Sequence, residues 1–160
     1  MSFRKTYGIM FILVIFLLLI SLYLEYFQGI LPCPLCTMQR FAFVLIGFFA
    51  LLGIFIARFF WGRIFCNLFL LLSSSLGFGL AARQIWLQNF PSATNNECGV
   101  TLEYMASVLP IKELVSKILQ GSAECSVQGW QFLYLNMAEW ALVWFMIFIV
   151  LSLYLLFKKR

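Results

Sequence analysis

Four long apolar runs limit what this chain can fold into. The first, residues 7–24, carries no charge, and the second, 41–60, carries no acid. A helix rises about 1.5 Å per residue, so about 20 residues cover a hydrocarbon core roughly 30 Å thick. The runs therefore predict four membrane-spanning helices over about 7–27, 41–60, 64–87 and 137–157. With 64% hydrophobic residues and 11% charged, the chain has too few polar groups to cover a water-soluble surface. The expected fold class is an all-α membrane protein, a four-transmembrane-helix bundle forming one integral domain over 1–160.

Arg4 and Lys5 ahead of the first run would also suit a signal peptide. The apolar region of a signal peptide is about 7–15 residues and ends in small residues, whereas this run is longer and has no such end, so an uncleaved span is expected. Sorted by side, Arg4, Lys5, Arg58, Arg63, Lys158, Lys159 and Arg160 fall together with no acid among them. Arg40, Arg83, Lys112 and Lys117 fall opposite, with Glu25, Glu97, Glu103, Glu113, Glu124 and Glu139. Basic flanks mark the cytoplasmic side, so both termini are expected inside and the connections at about 28–40 and 88–136 outside. The net charge of +5 is thus a topology signal, and no nucleic-acid partner is expected.

The longer outer connection is the one extended polar stretch. Within it Ile111, Leu114, Val115, Ile118 and Leu119 share a helical face between Pro110 and Gly121, which predicts a short amphipathic helix lying on the bilayer. On the third span, Ser73, Ser74, Ser75, Gly77 and Gly79 are small enough to let neighbouring helices approach closely. Trp86, Trp130, Trp140, Tyr104 and Tyr134 suit an interfacial aromatic belt.

The distinctive chemistry is sulfur. Five cysteines and no histidine exclude an imidazole base and the His-containing zinc sites. Leu31-Pro32-Cys33-Pro34-Leu35-Cys36-Thr37-Met38-Gln39-Arg40 places a C-x-x-C pair at the start of a helix, where unpaired backbone N–H groups stabilise a thiolate. Cys36 and Arg40 are one turn apart on one helical face, so a permanent positive charge lies within reach of the sulfur. An arginine at a membrane boundary can also simply snorkel to the headgroups. Cys98 and Cys125 share the outer side with the C-x-x-C pair, and an oxidising compartment would permit both Cys33–Cys36 and Cys98–Cys125 bridges. Either can be a structural staple, but a ring as small as Cys33–Cys36 removes little chain entropy and suits redox exchange better. No metal is expected, because Cys98 and Cys125 are not a close-spaced ligand pair. Cys66, on the inner side, is expected to be packing.

The order of these features resembles the disulfide bond formation protein B (DsbB) family of bacterial inner-membrane oxidases. The resemblance rests on four spans, Cys33-Pro34-Leu35-Cys36 with Arg40, Leu87-Gln88-Asn89-Phe90-Pro91-Ser92 ahead of Cys98, and Cys125 ahead of Trp130-Gln131-Phe132-Leu133. It implies a quinone-dependent oxidase, using ubiquinone or menaquinone, that reoxidises a periplasmic DsbA-like dithiol protein. By the resemblance Cys98 is the sulfur attacked and Cys125 leaves, Cys125 then attacks Cys33, and the freed Cys36 passes the electron pair to the quinone beside Arg40. Relatives often carry histidine near the quinone at the outer end of the third span; in that register this chain has Gln84, which can hydrogen-bond a carbonyl but carries no charge. Two alternatives stand beside this expectation: a specialised paralogue serving another periplasmic thiol protein, and a non-catalytic membrane subunit whose disulfides are structural.

Overall fold

The computed structural model describes residues 3–28, 33–56, 58–90 and 131–158, together with Val108, Pro110, Lys112, Glu113 and Ser116. Four helices, α1 (Phe3–Gln28), α2 (Pro34–Ile56), α3 (Phe60–Asn89) and α4 (Met137–Phe157), are each long and apolar enough to cross a membrane. A two-residue ladder precedes α4, with β1 (Gln131–Phe132) antiparallel to β2 (Leu135–Asn136). Cys98, Cys125 and most of the expected amphipathic helix lie outside the described residues; within that stretch Lys112, Glu113 and Ser116 are helical.

α1 and α3 extend beyond their apolar runs at both ends, whereas α2 does so at its start only: it ends at Ile56 rather than near residue 60, and Phe60 opens α3. α2 begins at Pro34 rather than near residue 41, and α3 begins at Phe60 rather than near residue 64. Hydropathy marks the length facing lipid, whereas α2 continues through polar residues whose side chains find partners on neighbouring helices, Gln39 on α3 and Arg40 on α1. Proline suits the first helical position because its missing N–H would have had no partner there. α4 begins at residue 137 as expected, behind a capping box: Asn136 Oδ1 accepts from Glu139 N at 2.9 Å, and Glu139 Oε2 accepts from Asn136 N at 2.7 Å.

α1 packs on α2, α2 on α3, and α3 on α4. The core between them combines aliphatic side chains such as Val14, Ile46 and Leu70 with aromatic rings. Phe43 stacks on Phe145 with ring centroids 4.2 Å apart and meets Phe148 edge-on, while Phe49 stacks on Phe69 at 4.8 Å. Lipid offers no hydrophobic drive between helices, so their association depends on close packing around small residues. A Cβ on Gly77 would lie 2.2 Å from Phe145, and one on Gly53 would lie 2.7 Å from the Tyr7 ring. Gly79, grouped with Gly77 in the sequence, is exposed with nothing within 4 Å of its Cβ direction, and Ser75 is exposed too; Ser73, Ser74 and Gly77 form the buried small-residue face.

That difference gives a matched pair of variants. Phe145 is fully buried against Phe43 and cannot yield, so Gly77→Ala is expected to destabilise the bundle by about 1–3 kcal/mol. Gly79→Ala meets no obstacle and is expected to be neutral or slightly stabilising. Thermal or denaturant unfolding of both in one detergent compares them directly; equal midpoints would mean that α3 and α4 do not meet at Gly77.

The two ends of the bundle differ in character. At one end Arg4 Nε donates to Ile54 O at 3.1 Å, and Arg63 and Lys158 sit over the Phe3 ring at 4.3 and 5.3 Å from its centroid. The start of α1, the α2–α3 turn and the end of α4 therefore gather together, carrying cations. Near this end Tyr7 Oη donates to Asn67 Oδ1 at 2.6 Å, and Cys66 is fully buried beside it in sequence. The opposite end holds Cys33, Cys36, Arg40, Gln84 and the β1–β2 turn, where Leu133 and Tyr134 take left-handed backbone angles with φ of 54° and 64°.

Candidate dithiol site

The local geometry begins with the way α2 starts. Cys33 is the residue before the helix, and its carbonyl accepts from Thr37 N at 3.0 Å and from Thr37 Oγ1 at 3.2 Å. Its sulfur accepts from Cys36 N at 3.3 Å, the role a serine or aspartate oxygen plays at an ordinary N-cap. The two Sγ atoms lie 2.8 Å apart, with Cys33 set to donate to Cys36. Both sulfurs thus stand at the positive end of a 23-residue helix, in the field that favours a thiolate. Cys33 is buried and Cys36 half-buried, against Leu35, Leu87, Met38 and Leu80.

α3 supplies a polar group to the sulfurs. Gln84 Nε2 donates to Cys36 Sγ at 3.2 Å and approaches Cys33 Sγ at 3.6 Å. Its oxygen accepts from Gln39 Nε2 at 2.7 Å, and both amides are buried. Gln39 is absent from the sequence-derived set of site residues. The only signal for it was its spacing, three residues after Cys36 and therefore on a neighbouring helical position.

Arg40 follows one turn after Cys36, and its guanidinium ties α2 to α1: Nη1 pairs with Glu25 Oε2, and Nη2 donates to Ser21 O at 3.3 Å. The carboxylate offsets part of the positive charge that the sequence places near the sulfur. Gln88, one turn beyond Gln84, accepts from Asn136 Nδ2 at 2.9 Å and so joins α3 to the start of α4. Of the expected site residues, Cys33, Cys36, Arg40 and Gln84 meet at one end of the bundle; Cys98 and Cys125 lie outside the described residues. Among the described residues no cluster of metal-ligating side chains occurs.

Four membrane-length helices with a C-x-x-C pair at one helix N-terminus define a multi-pass membrane protein with a dithiol site. A family model described as "Disulfide bond formation protein DsbB" matches residues 3–155. Disulfide bond formation protein B of Azoarcus sp. (strain BH72) is 43% identical over 145 residues, covering 90% of this chain and 86% of the relative. The protein of that name from Marinobacter nauticus is 35% identical over 160 residues, covering 99% and 95%. That from Acinetobacter baumannii is 32% identical over 165 residues, covering 99% and 93%. The chain belongs to the DsbB family of disulfide bond formation membrane proteins.

Proposed function

We propose that this chain is a bacterial inner-membrane oxidoreductase that reoxidises a periplasmic DsbA-like dithiol protein and passes the electrons to a membrane quinone. The observation that carries it is the Cys33–Cys36 pair, with sulfurs 2.8 Å apart at a helix N-terminus and a buried N–H donor on Cys36. Two thiols so placed can open and close a bond with little motion, and the helix terminus favours the thiolate that exchange requires.

In this mechanism the outer 88–136 connection carries Cys98–Cys125 to the soluble partner. A partner thiolate attacks Cys98, and Cys125 leaves. Cys125 attacks Cys33, breaking the Cys33–Cys36 bond and releasing Cys36 as a thiolate. Gln84 Nε2 and the start of α2 hold that thiolate, and Arg40 is one turn away. The partner's second thiol attacks the mixed disulfide, so the partner departs as a disulfide and Cys98 is freed. Cys98 attacks Cys125, which recloses the outer bridge and frees Cys33. Cys33 then bonds to Cys36 as that pair's two electrons would pass to a bound quinone. Each cycle forms one disulfide in the partner and converts one quinone to one quinol, taking up two electrons and two protons. A quinone is a flat apolar ring with two carbonyl acceptors. Met38 and Leu80, half-buried beside the dithiol, offer apolar surface for it, and Arg40 offers N–H donors, while the Gln84 N–H groups meet the sulfurs, so the residue types fit. The quinone supplies the two-electron sink; the chain supplies the thiolate, the donors and the exclusion of water.

The clustering of Phe3, Ile54, Arg63 and Lys158 at one end supports a common side for both termini, and the positive-inside rule makes that side cytoplasmic. After reduction, Cys98 and Cys125 are expected to react with a membrane-impermeant thiol reagent in intact spheroplasts, and Cys66 is not. Labelling of Cys98 only after lysis would reverse the topology and remove the route to a periplasmic partner. Steady-state quinone reduction by purified protein, driven in turn by a reduced DsbA-like protein and by other periplasmic thiol proteins, tests the partner. Turnover with the former is expected to exceed that with the others.

A further inference from the structure

The polar group against the dithiol is a pair of carboxamides from two helices. Gln39 on α2 and Gln84 on α3 are 5% and 4% exposed, and they form a chain: Gln39 Nε2 to Gln84 Oε1 at 2.7 Å, then Gln84 Nε2 to Cys36 Sγ at 3.2 Å. A carboxamide has two edges of opposite character, an accepting oxygen and a donating nitrogen. A half-turn of the terminal amide swaps them with little change of shape. The edge that meets the sulfurs therefore decides whether a thiolate there is stabilised or repelled. With Gln39 Nε2 on the Gln84 oxygen, a half-turn of Gln84 alone would bring two N–H donors together in a buried site, each without its acceptor. The same bond polarises the Gln84 amide and strengthens its N–H as a donor. Turning both amides at once restores their mutual bond but sets a carbonyl oxygen against the sulfurs, which a thiolate opposes.

We propose that Gln39 is a positioning residue of the dithiol site: it fixes the Gln84 carboxamide with its donor edge on Cys33 and Cys36, and so favours the thiolate form of the reduced pair. The inference rests on the redox role proposed for that pair, but its test needs neither quinone nor partner protein. In the reduced full-length protein in detergent, two quantities are measured: the alkylation rate of the peptide containing Cys33 and Cys36 at neutral pH, and the reduction potential of the pair in thiol–disulfide buffers at alkaline pH, where the reduced pair carries its thiolate. Gln39→Met, close in shape but without a donor, is expected to slow alkylation about tenfold and to lower the potential by about 30 mV, the equivalent of tenfold for a two-electron couple. Gln39→Glu is expected to shift both further in the same direction, because its carboxylate accepts from Gln84 Nε2 and turns the Gln84 oxygen to the sulfurs.

Gln84→Met is expected to match Gln39→Met, and the double variant to lose nothing more, since the two residues act through one donor. A purely structural role would instead move the unfolding midpoint and add in the double variant. Wild-type rate and potential in Gln39→Met overturn the proposal. So does a slower alkylation with unchanged potential, which reports access alone, and so does an equal further loss when Gln39→Met is added to Gln84→Met. A chain that turned over no quinone would overturn the proposed function and leave these readouts interpretable.

Discussion

Oxidation of a reduced partner protein is expected to fall to the uncatalysed background in Cys33→Ser, Cys36→Ser, Cys98→Ala and Cys125→Ala, and to remain near wild type in Cys66→Ala. Electron pairs move between disulfides only by attack of a thiolate on a sulfur, so removing any one sulfur of the relay interrupts it. The variants should stop at different points. Without Cys98 or Cys125 the partner keeps its thiols, whereas without Cys36 the outer pair can still exchange but no quinol forms. Cys66 is fully buried on α3, next to the Asn67 that binds Tyr7, and belongs to the packing of the bundle. Thiol titration of the partner, alongside quinol formation, reads all five variants. Loss of turnover in Cys66→Ala at normal protein level would reveal a redox role for that sulfur.

Arg40 gives the second large effect. Its guanidinium meets Glu25 with one nitrogen and the Ser21 carbonyl with another, so its plane is fixed before any substrate arrives. A lysine keeps the charge and can still meet Glu25, but it has no planar fork to hold a second acceptor in place. Arg40→Lys is therefore expected to raise the apparent KM for quinone with a smaller change in kcat. Arg40→Gln is expected to lower kcat/KM about tenfold to a hundredfold, or about 1.4–2.7 kcal/mol of transition-state stabilisation. Stability should change by no more than about 1 kcal/mol, because the ion pair is only partly buried, 21% and 31% exposed. Quinone reduction against quinone concentration, with unfolding measured on the same preparations, separates these terms. Wild-type kinetics in Arg40→Gln would leave this residue as a tether between α1 and α2.

What could be read from the sequence follows from what lipid demands. A span must be apolar for about 20 residues, so four spans were visible in hydropathy alone. Their ends were less visible, because α2 runs through Thr37, Gln39 and Arg40 once their side chains have partners. The dithiol and its helix start were legible from C-x-x-C and Pro34. Its polar contact was not, since Gln39 and Gln84 are 45 positions apart and no local pattern joins them. Glu25 carried a usable signal: it is the only acid in the first 96 residues, and a lone acid at the end of an apolar span calls for a cation. Gly77 and Gly79 are indistinguishable in sequence, and only the Phe145 ring separates them. The turn at Leu133 and Tyr134 lacks the Asn or Gly that normally signals left-handed backbone, so nothing local announced it.

Entry of electrons through a partner's thiols, with their exit to a quinone through Cys36, is tested most directly by a single anaerobic turnover. Oxidised protein with bound quinone is mixed with a reduced DsbA-like protein, quenched with acid, and assayed for quinol formed and partner thiols lost. One quinol for every two thiols lost is predicted in the wild type, and in Cys36→Ser a mixed disulfide with the partner and no quinol. Folded wild-type protein that leaves both the partner thiols and the quinone unchanged would contradict it, and would make the disulfides of this chain structural.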